Sequence, residues 1–208
     1  MFGYHEPMPF TTLIFDFGGV LIDWNPRNLY KRFFPDSTQM EHFLKEIDFA
    51  GWNLLQDGGR PFSEGVAELS SRFPQHAELI RAYWEHWEES IGEPIYGTVA
   101  IIKKLKDRGY HVYGLSNWSA ETFPLIRNRY DFFRLFDGYL ISGEVGLVKP
   151  DPAIFEIVLE QTGRASEECV FIDDSPINIQ AAADLGFTSL LFESPTQLER
   201  QLRQIQIL

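Results

Sequence analysis

The stretch Leu13-Ile14-Phe15-Asp16-Phe17-Gly18-Gly19-Val20-Leu21 decides the fold, because an apolar run delivers one acidic residue and then turns on two glycines. Leu13 to Phe15 have the length and the β-branched or aromatic bias of a strand covered on both faces, the kind found in parallel sheets. Gly18 and Gly19 end the strand by permitting a positive φ. Asp16 is thereby placed at the carboxyl end of a buried strand, where open α/β sheets bind their ligands. Read alone, the segment is equally consistent with an aspartate capping the following turn, and the rest of the chain decides between the two.

Beyond this strand the pattern turns helical from Trp24 to about Ile91. Asn25-Pro26 offers a cap and a first-turn proline. Helices are expected over Ser37–Ile47, Phe49–Gln56, Ser63–Phe73 and Gln75–Glu89, punctuated by Gly58-Gly59 and Pro74. From Ile95 onward helix and strand alternate. Strands are expected at His111–Leu115, Tyr139–Ile141, Val170–Ile172 and Thr188–Phe192. Helices are expected from Ile95 to Gly109, from Ser119 to Tyr130, after Asp151-Pro152, after Ser175-Pro176 and from Thr196. Strands separated by helices imply parallel pairing with right-handed crossovers. The expectation is an α/β, Rossmann-like doubly wound sheet formed by residues 1–23 and 92–208, with a small α-helical unit, 24–91, inserted after the first strand.

The 208 residues carry 30 acidic and 18 basic side chains, a formal net charge of −12 that repels a phosphate backbone and disfavours nucleic acid as a partner. No apolar run approaches the roughly 20 residues of a membrane helix. Met1 to Phe10 lacks the basic start and apolar core of a signal peptide. Cys169, the single cysteine, sits in an apolar strand and reads as core in a reducing compartment. A cytoplasmic protein acting on a small molecule is expected; its oligomeric state is not readable.

Asp16, Ser116-Asn117 and Asp173-Asp174 each follow a strand, and Lys149 precedes a helix, so parallel strands gather all of them at one sheet edge beside helix amino termini that favour an anion. Singly, Ser116 reads as a helix cap and Lys149 as a solvated loop residue. Adjacent carboxylates after an apolar strand, however, repel one another and need a cation or donors. A lysine, a hydroxyl and backbone amides suit a phosphate, and three carboxylates beside it suit Mg²⁺, a hard cation with oxygen ligands. Phosphoryl transfer with Asp16 as nucleophile follows.

These residues resemble the haloacid dehalogenase superfamily over nearly the whole chain. Asp16-Phe17-Gly18-Gly19-Val20-Leu21 is similar to its first motif, Leu115-Ser116-Asn117 to its second, Val145 to Pro152 to its third, and Phe171 to Asn178 to its fourth. The resemblance implies that Asp16 attacks phosphorus and that Asp16, the Gly18 carbonyl and Asp174 hold Mg²⁺. It implies that Ser116, Asn117 and Lys149 bind the phosphoryl group, that Asp173 is a direct or indirect metal partner, and that Asn178 stands where some members place an acid supporting the metal's waters. The helical insertion resembles the family's cap, which closes over the site and selects the substrate.

One departure stands out. Most phosphatases of the family carry a second aspartate two residues after the nucleophile as general acid and base; here that position is Gly18. General acid catalysis is worth about 10² to 10⁴-fold. Asp23, Asp48 and His42 are the candidates to supply it, though each reads first as a solvated residue. Branches without this acid include sugar-1-phosphate phosphatases whose first motif reads Asp-x-Gly-x-Val, which this chain resembles closely, as well as phosphonatases and dehalogenases. The expectation is a Mg²⁺-dependent phosphatase of a small phosphorylated metabolite, with sugar phosphates among the candidates, working through a phospho-aspartate. The alternatives are a 2-haloacid dehalogenase, a phosphonatase needing Lys31 or Lys45 for a Schiff base, and a degenerate binding domain. Trp24, Asp48, Phe49 and Trp52 are candidates to face the substrate.

Overall fold

A computed structural model describes residues 10–208. Its central sheet has five parallel strands: β1 (Thr12–Phe15), β4 (His111–Ser116), β5 (Gly138–Ile141), β6 (Cys169–Asp173) and β7 (Thr188–Leu191), in the order β5-β4-β1-β6-β7. β1 is therefore central and flanked on both sides, with Phe15 in register with Gly114 on β4 and Ile172 on β6. Its four residues are all buried, as the unbroken apolar run requires.

Successive side chains on these strands point to opposite faces and enter two separate cores. Leu13, Phe15, Val170 and Ile172 pack with Ile102 and Leu105 of α6 (Tyr96–Asp107) and Leu198 and Leu202 of α11 (Pro195–Gln204). Ile14, Cys169 and Phe171 pack on the other face with Phe155 and Val158 of α9 (Pro152–Thr162) and Ala182 of α10 (Pro176–Asp184). This is the expected doubly wound arrangement, and Cys169 is a buried core residue as read. The helix expected from Ser119 starts later, as α7 (Phe123–Arg129), because the Ser119 hydroxyl accepts the Glu121 N–H in a turn and Pro124 sits in the first turn.

The helical stretch forms α1 (Pro26–Tyr30), α2 (Ser37–Glu46), α3 (Phe49–Asp57), α4 (Phe62–Arg72) and α5 (Ala77–Glu85). Its own core is aromatic. The buried Tyr83 ring lies 4.9 Å from Phe49, 5.8 Å from Trp52 and 6.1 Å from Tyr30, contacts worth about 0.5–1.5 kcal/mol each beyond area burial. Two strands not expected from the sequence bracket this unit. β2 (Ile22–Trp24) and β3 (Ile91–Pro94) pair antiparallel, Ile22 opposite Pro94 and Trp24 opposite Ile91, so one ribbon carries the chain both into and out of the helices. The remaining helix, α8 (Ser142–Val145), follows β5 directly.

No helix among the described residues is long and apolar enough to cross a membrane. The reading of the amino-terminal segment falls on residues 1–9, outside the described residues.

Candidate active site

The parallel register brings the strand ends together. Asp16 continues β1, its N–H donating to the Ile172 carbonyl at 2.9 Å, so its side chain emerges between the ends of β4 and β6. Asp16 Oδ1 accepts hydrogen bonds from the Phe17 N–H at 2.7 Å and the Ser116 hydroxyl at 2.7 Å, and pairs with the Lys149 ammonium at 3.1 Å. Ser116 thus spends its hydroxyl on Asp16 and does not cap the helix after it.

Lys149 is the opposite of a solvated loop lysine. It is 2% exposed, and its three ammonium protons meet the Leu115 carbonyl at 2.9 Å, Asp173 Oδ2 at 2.6 Å and Asp16 Oδ1. Its backbone is clamped by Asn117, whose amide oxygen accepts the Lys149 N–H at 2.8 Å and whose amide nitrogen donates to the Lys149 carbonyl at 2.9 Å. The Asn117 side chain, expected against phosphate, is therefore committed to holding the lysine loop.

Asp173 is fully buried and fully engaged. Oδ1 accepts from the Ser175 N–H at 2.8 Å and Oδ2 from Lys149, while Asn178 Nδ2 lies 3.1 Å from both oxygens. Asn178 consequently braces Asp173, a different task from the one the resemblance implied. Asp174 is exposed and lies against Gly19, where a Cβ would stand 2.2 Å from Asp174 Oδ2. Gly19 also has φ +72, so glycine is required there twice over.

Carboxylate oxygens of Asp16, Asp173 and Asp174 lie within 4.8 Å of one another. Burial raises Asp16 to about 7, with Lys149 opposing and the Asp173 charge adding to the rise. Burial and then Asp173 also raise Asp174. For Lys149, burial pulls down, but the charges of Asp16 and Asp173 outweigh it and hold the group above its ordinary value. With all three carboxylates ionised, the one ammonium leaves two negative charges uncompensated, which a divalent cation would neutralise. All the side-chain ligands are carboxylates whose oxygens lie close together, and Asp174 retains uncommitted oxygens, so the donor set fits Mg²⁺.

Above this cluster a cavity of about 50 Å³ is walled by Trp24, Phe62, Trp87 and Trp118, with Gly18, Asn117, Thr122, Asn53 and Asp57 as its other lining. Of the residues expected to face a substrate, Trp24 lines the cavity. Trp52 and Phe49 belong to the aromatic core, with Trp52 Nε1 donating to the Gly65 carbonyl at 2.9 Å. Asp48 caps α3, Asp23 is exposed against Gly92, and His42 is a solvated partner of Glu46. None of the three lines the cavity. Asp57, which sequence reasoning passed over, does. The one sequence signal was an acid directly after the expected helix Phe49–Gln56 and just before Gly58-Gly59, where a base is usual.

The insertion is fastened to the site. The Ser142 hydroxyl donates to the Asp57 carbonyl at 2.5 Å and accepts the Trp118 N–H at 2.9 Å, joining the end of α3 to the loop after β4. The Phe62 N–H reaches Glu121 Oε2 at 3.3 Å.

A family model described as haloacid dehalogenase-like hydrolase matches residues 10–186. The chain is 31% identical over 203 residues to a drimenol cyclase of Aspergillus calidoustus, matching 93% of this chain and 36% of that protein, so it spans about a third of that relative's length. It is 27% identical over 196 residues to a sesquiterpene phosphatase of Aspergillus oryzae, covering 94% of this chain and 96% of the relative. A D-ribitol-5-phosphate phosphatase of Bacteroides thetaiotaomicron is 25% identical over 211 residues, at 93% and 97% coverage. Among solved structures, a wild-type haloacid dehalogenase family enzyme of Bacteroides thetaiotaomicron, in complex with magnesium and inorganic phosphate, superposes with a TM-score of 0.65 at 25% identity over 89% of this chain and 95% of that one.

Proposed function

Since the chain belongs to the haloacid dehalogenase-like hydrolase family, we propose that it is a Mg²⁺-dependent phosphatase that cleaves a small phosphomonoester through a phospho-aspartate on Asp16. The observation that carries this reading is the packing of Asp16, Asp173 and Asp174 around a buried Lys149, a cluster whose surplus of two negative charges favours both a divalent cation and, through it, an anionic substrate. Asp16, Asp174 and the Gly18 carbonyl would hold the ion. Bound there, Mg²⁺ would screen the repulsion between the Asp16 carboxylate and a phosphate dianion and withdraw charge from phosphorus.

The chain's own groups do the rest. The Ser116 hydroxyl, now donating to Asp16, and the Lys149 ammonium, now paired with it, turn to the phosphoryl oxygens when a phosphate enters, which frees the carboxylate to attack. Asn117 and Asp173 hold Lys149 in place. The helical insertion acts as a cap: its Trp24, Phe62 and Trp87, with Trp118 of the core, exclude water and contact the alcohol part of the ester. Two phosphatase relatives support the reading, one named for a sesquiterpene and one for a polyol phosphate. Sugar or polyol phosphates and isoprenoid phosphates therefore head the substrate panel.

The test is phosphate release from that panel with Mg²⁺ and with EDTA, using the wild type and Asp16→Asn. Turnover that needs Mg²⁺ and vanishes in Asp16→Asn is expected. Halide release from a 2-haloacid that is indifferent to EDTA would replace this reading with carbon attack.

A further inference from the structure

The cavity contains one carboxylate that the reaction above does not use. Asp57 closes α3 and lines the cavity together with Gly18, Asn117 and Thr122. Helix stability does not explain it, because the macrodipole opposes negative charge at a helix C-terminus and α3 has no basic residue in its last turn. Yet the position is built. Asn53 Nδ2 donates to Asp57 Oδ2 at 2.9 Å, the buried Tyr83 hydroxyl holds the Asn53 oxygen at 3.2 Å, and Ser142 ties the Asp57 carbonyl to the sheet edge.

Cleavage of an alkyl phosphate expels an alkoxide, which needs a proton as the P–O bond breaks. Among the described residues lining the cavity, the amides of Asn53 and Asn117, the Thr122 hydroxyl and the indoles release no proton near neutrality. Gly18 has no side chain, and Lys149 has committed its protons below. That leaves Asp57.

We propose that Asp57 is the general acid and then the general base of the reaction, contributed by the helical insertion; the assignment rests on the phosphatase reading above. In the first step the Asp16 carboxylate forms an O–P bond, the ester P–O bond breaks, and the Asp57 carboxyl proton passes to the departing oxygen, releasing the alcohol. In the second, the Asp57 carboxylate takes a proton from the water that attacks phosphorus. The Asp16 O–P bond breaks, inorganic phosphate leaves, and the Asp16 carboxylate and protonated Asp57 are restored. Burial first, and the Asp16 charge second, raise Asp57 to about 7, where both protonation states are accessible at neutral pH.

The test is the dependence of rate on leaving group. With enzyme in excess and Mg²⁺ present, alcohol release from p-nitrophenyl phosphate and from an alkyl phosphate isolates the first step in the wild type and in Asp57→Asn. Asp57→Asn should slow the alkyl ester by about 10² to 10⁴-fold and the p-nitrophenyl ester by less than about tenfold, since that leaving group needs little protonation. The variant should bind Mg²⁺ by calorimetry as the wild type does and melt no lower, having shed a charge that α3 disfavours. Equal losses on both esters, or a lower melting temperature with losses on both, make Asp57 a structural residue and overturn the proposal. A wild type that releases no phosphate from any ester fails at the earlier step, and refutes the phosphatase reading and this assignment together.

Discussion

Lys149→Met removes the only ammonium from a cluster of three carboxylates and replaces it with a side chain of similar length. At 3.1 Å from Asp16 and 2.6 Å from Asp173, the ammonium contributes about 5–6 kcal/mol of attraction per pair at an effective dielectric of about 20. The desolvation cost of burying Lys149 offsets part of this, and what the variant loses is the cost of leaving partners unpaired, about 3–5 kcal/mol for a broken buried pair. For a chain of this size each kcal/mol moves Tm by about 2–4 °C, so the expected fall is about 6–20 °C. The loss depends on pH in a defined direction. Lys149 has its folded-state value raised and is charged throughout the neutral range, so the change comes from the carboxylates. Asp16 is raised to about 7 even with Lys149 present, and without it the carboxylate takes up a proton more readily. Urea denaturation in EDTA should therefore show the full loss near pH 8 and a smaller one near pH 5.5, where protonation relieves the cluster. A loss below about 1 kcal/mol near pH 8, or one independent of pH, would refute the placement of Lys149 as the cluster's counter-charge.

Two further outcomes follow from the same cluster. In the unliganded wild type, the folded state binds more protons than the unfolded one between about pH 4 and 7, because Asp16 is raised, so stability falls as pH rises through that window. Mg²⁺ held by the cluster would relieve that strain, so its effect on Tm should be larger near pH 8 than near pH 5.5; calorimetric scans showing the reverse would contradict the metal assignment. Gly19→Ala places a Cβ 2.2 Å from Asp174 Oδ2 at φ +72. It should cost about 1–2 kcal/mol for the left-handed backbone and, by pushing Asp174 aside, weaken Mg²⁺ binding by roughly tenfold or more in a titration.

Much of this was legible in the sequence because the sheet is buried on both faces. Leu13–Phe15 and Cys169–Ile172 are apolar and buried throughout, and an acid at the end of such a run has few places to go but the sheet edge. Hence Asp16, Ser116, Lys149, Asp173 and Asp174 were found together. β2 and β3 were not, since Ile22-Asp23-Trp24 is too short to show a period and Ile91-Gly92-Glu93-Pro94 ends in a residue that disfavours strands. The partners of Asn117 and Asn178 were also out of reach, because where a side-chain amide donates depends on which loop tertiary packing brings beside it. Asp57 belongs to the same class. Its place in the cavity depends on Ser142, 85 residues away, docking the end of α3 against the loop after β4.

The most direct measurement of the central claim is mass spectrometry of the acid-quenched enzyme after a single turnover in isotopically heavy water. One phosphoryl group is expected on the peptide containing Asp16 before completion, and the heavy oxygen in the released phosphate afterwards, because water attacks phosphorus. Heavy oxygen in the Asp16 carboxylate, or turnover that leaves Asp16 unmodified at every time point, would contradict it.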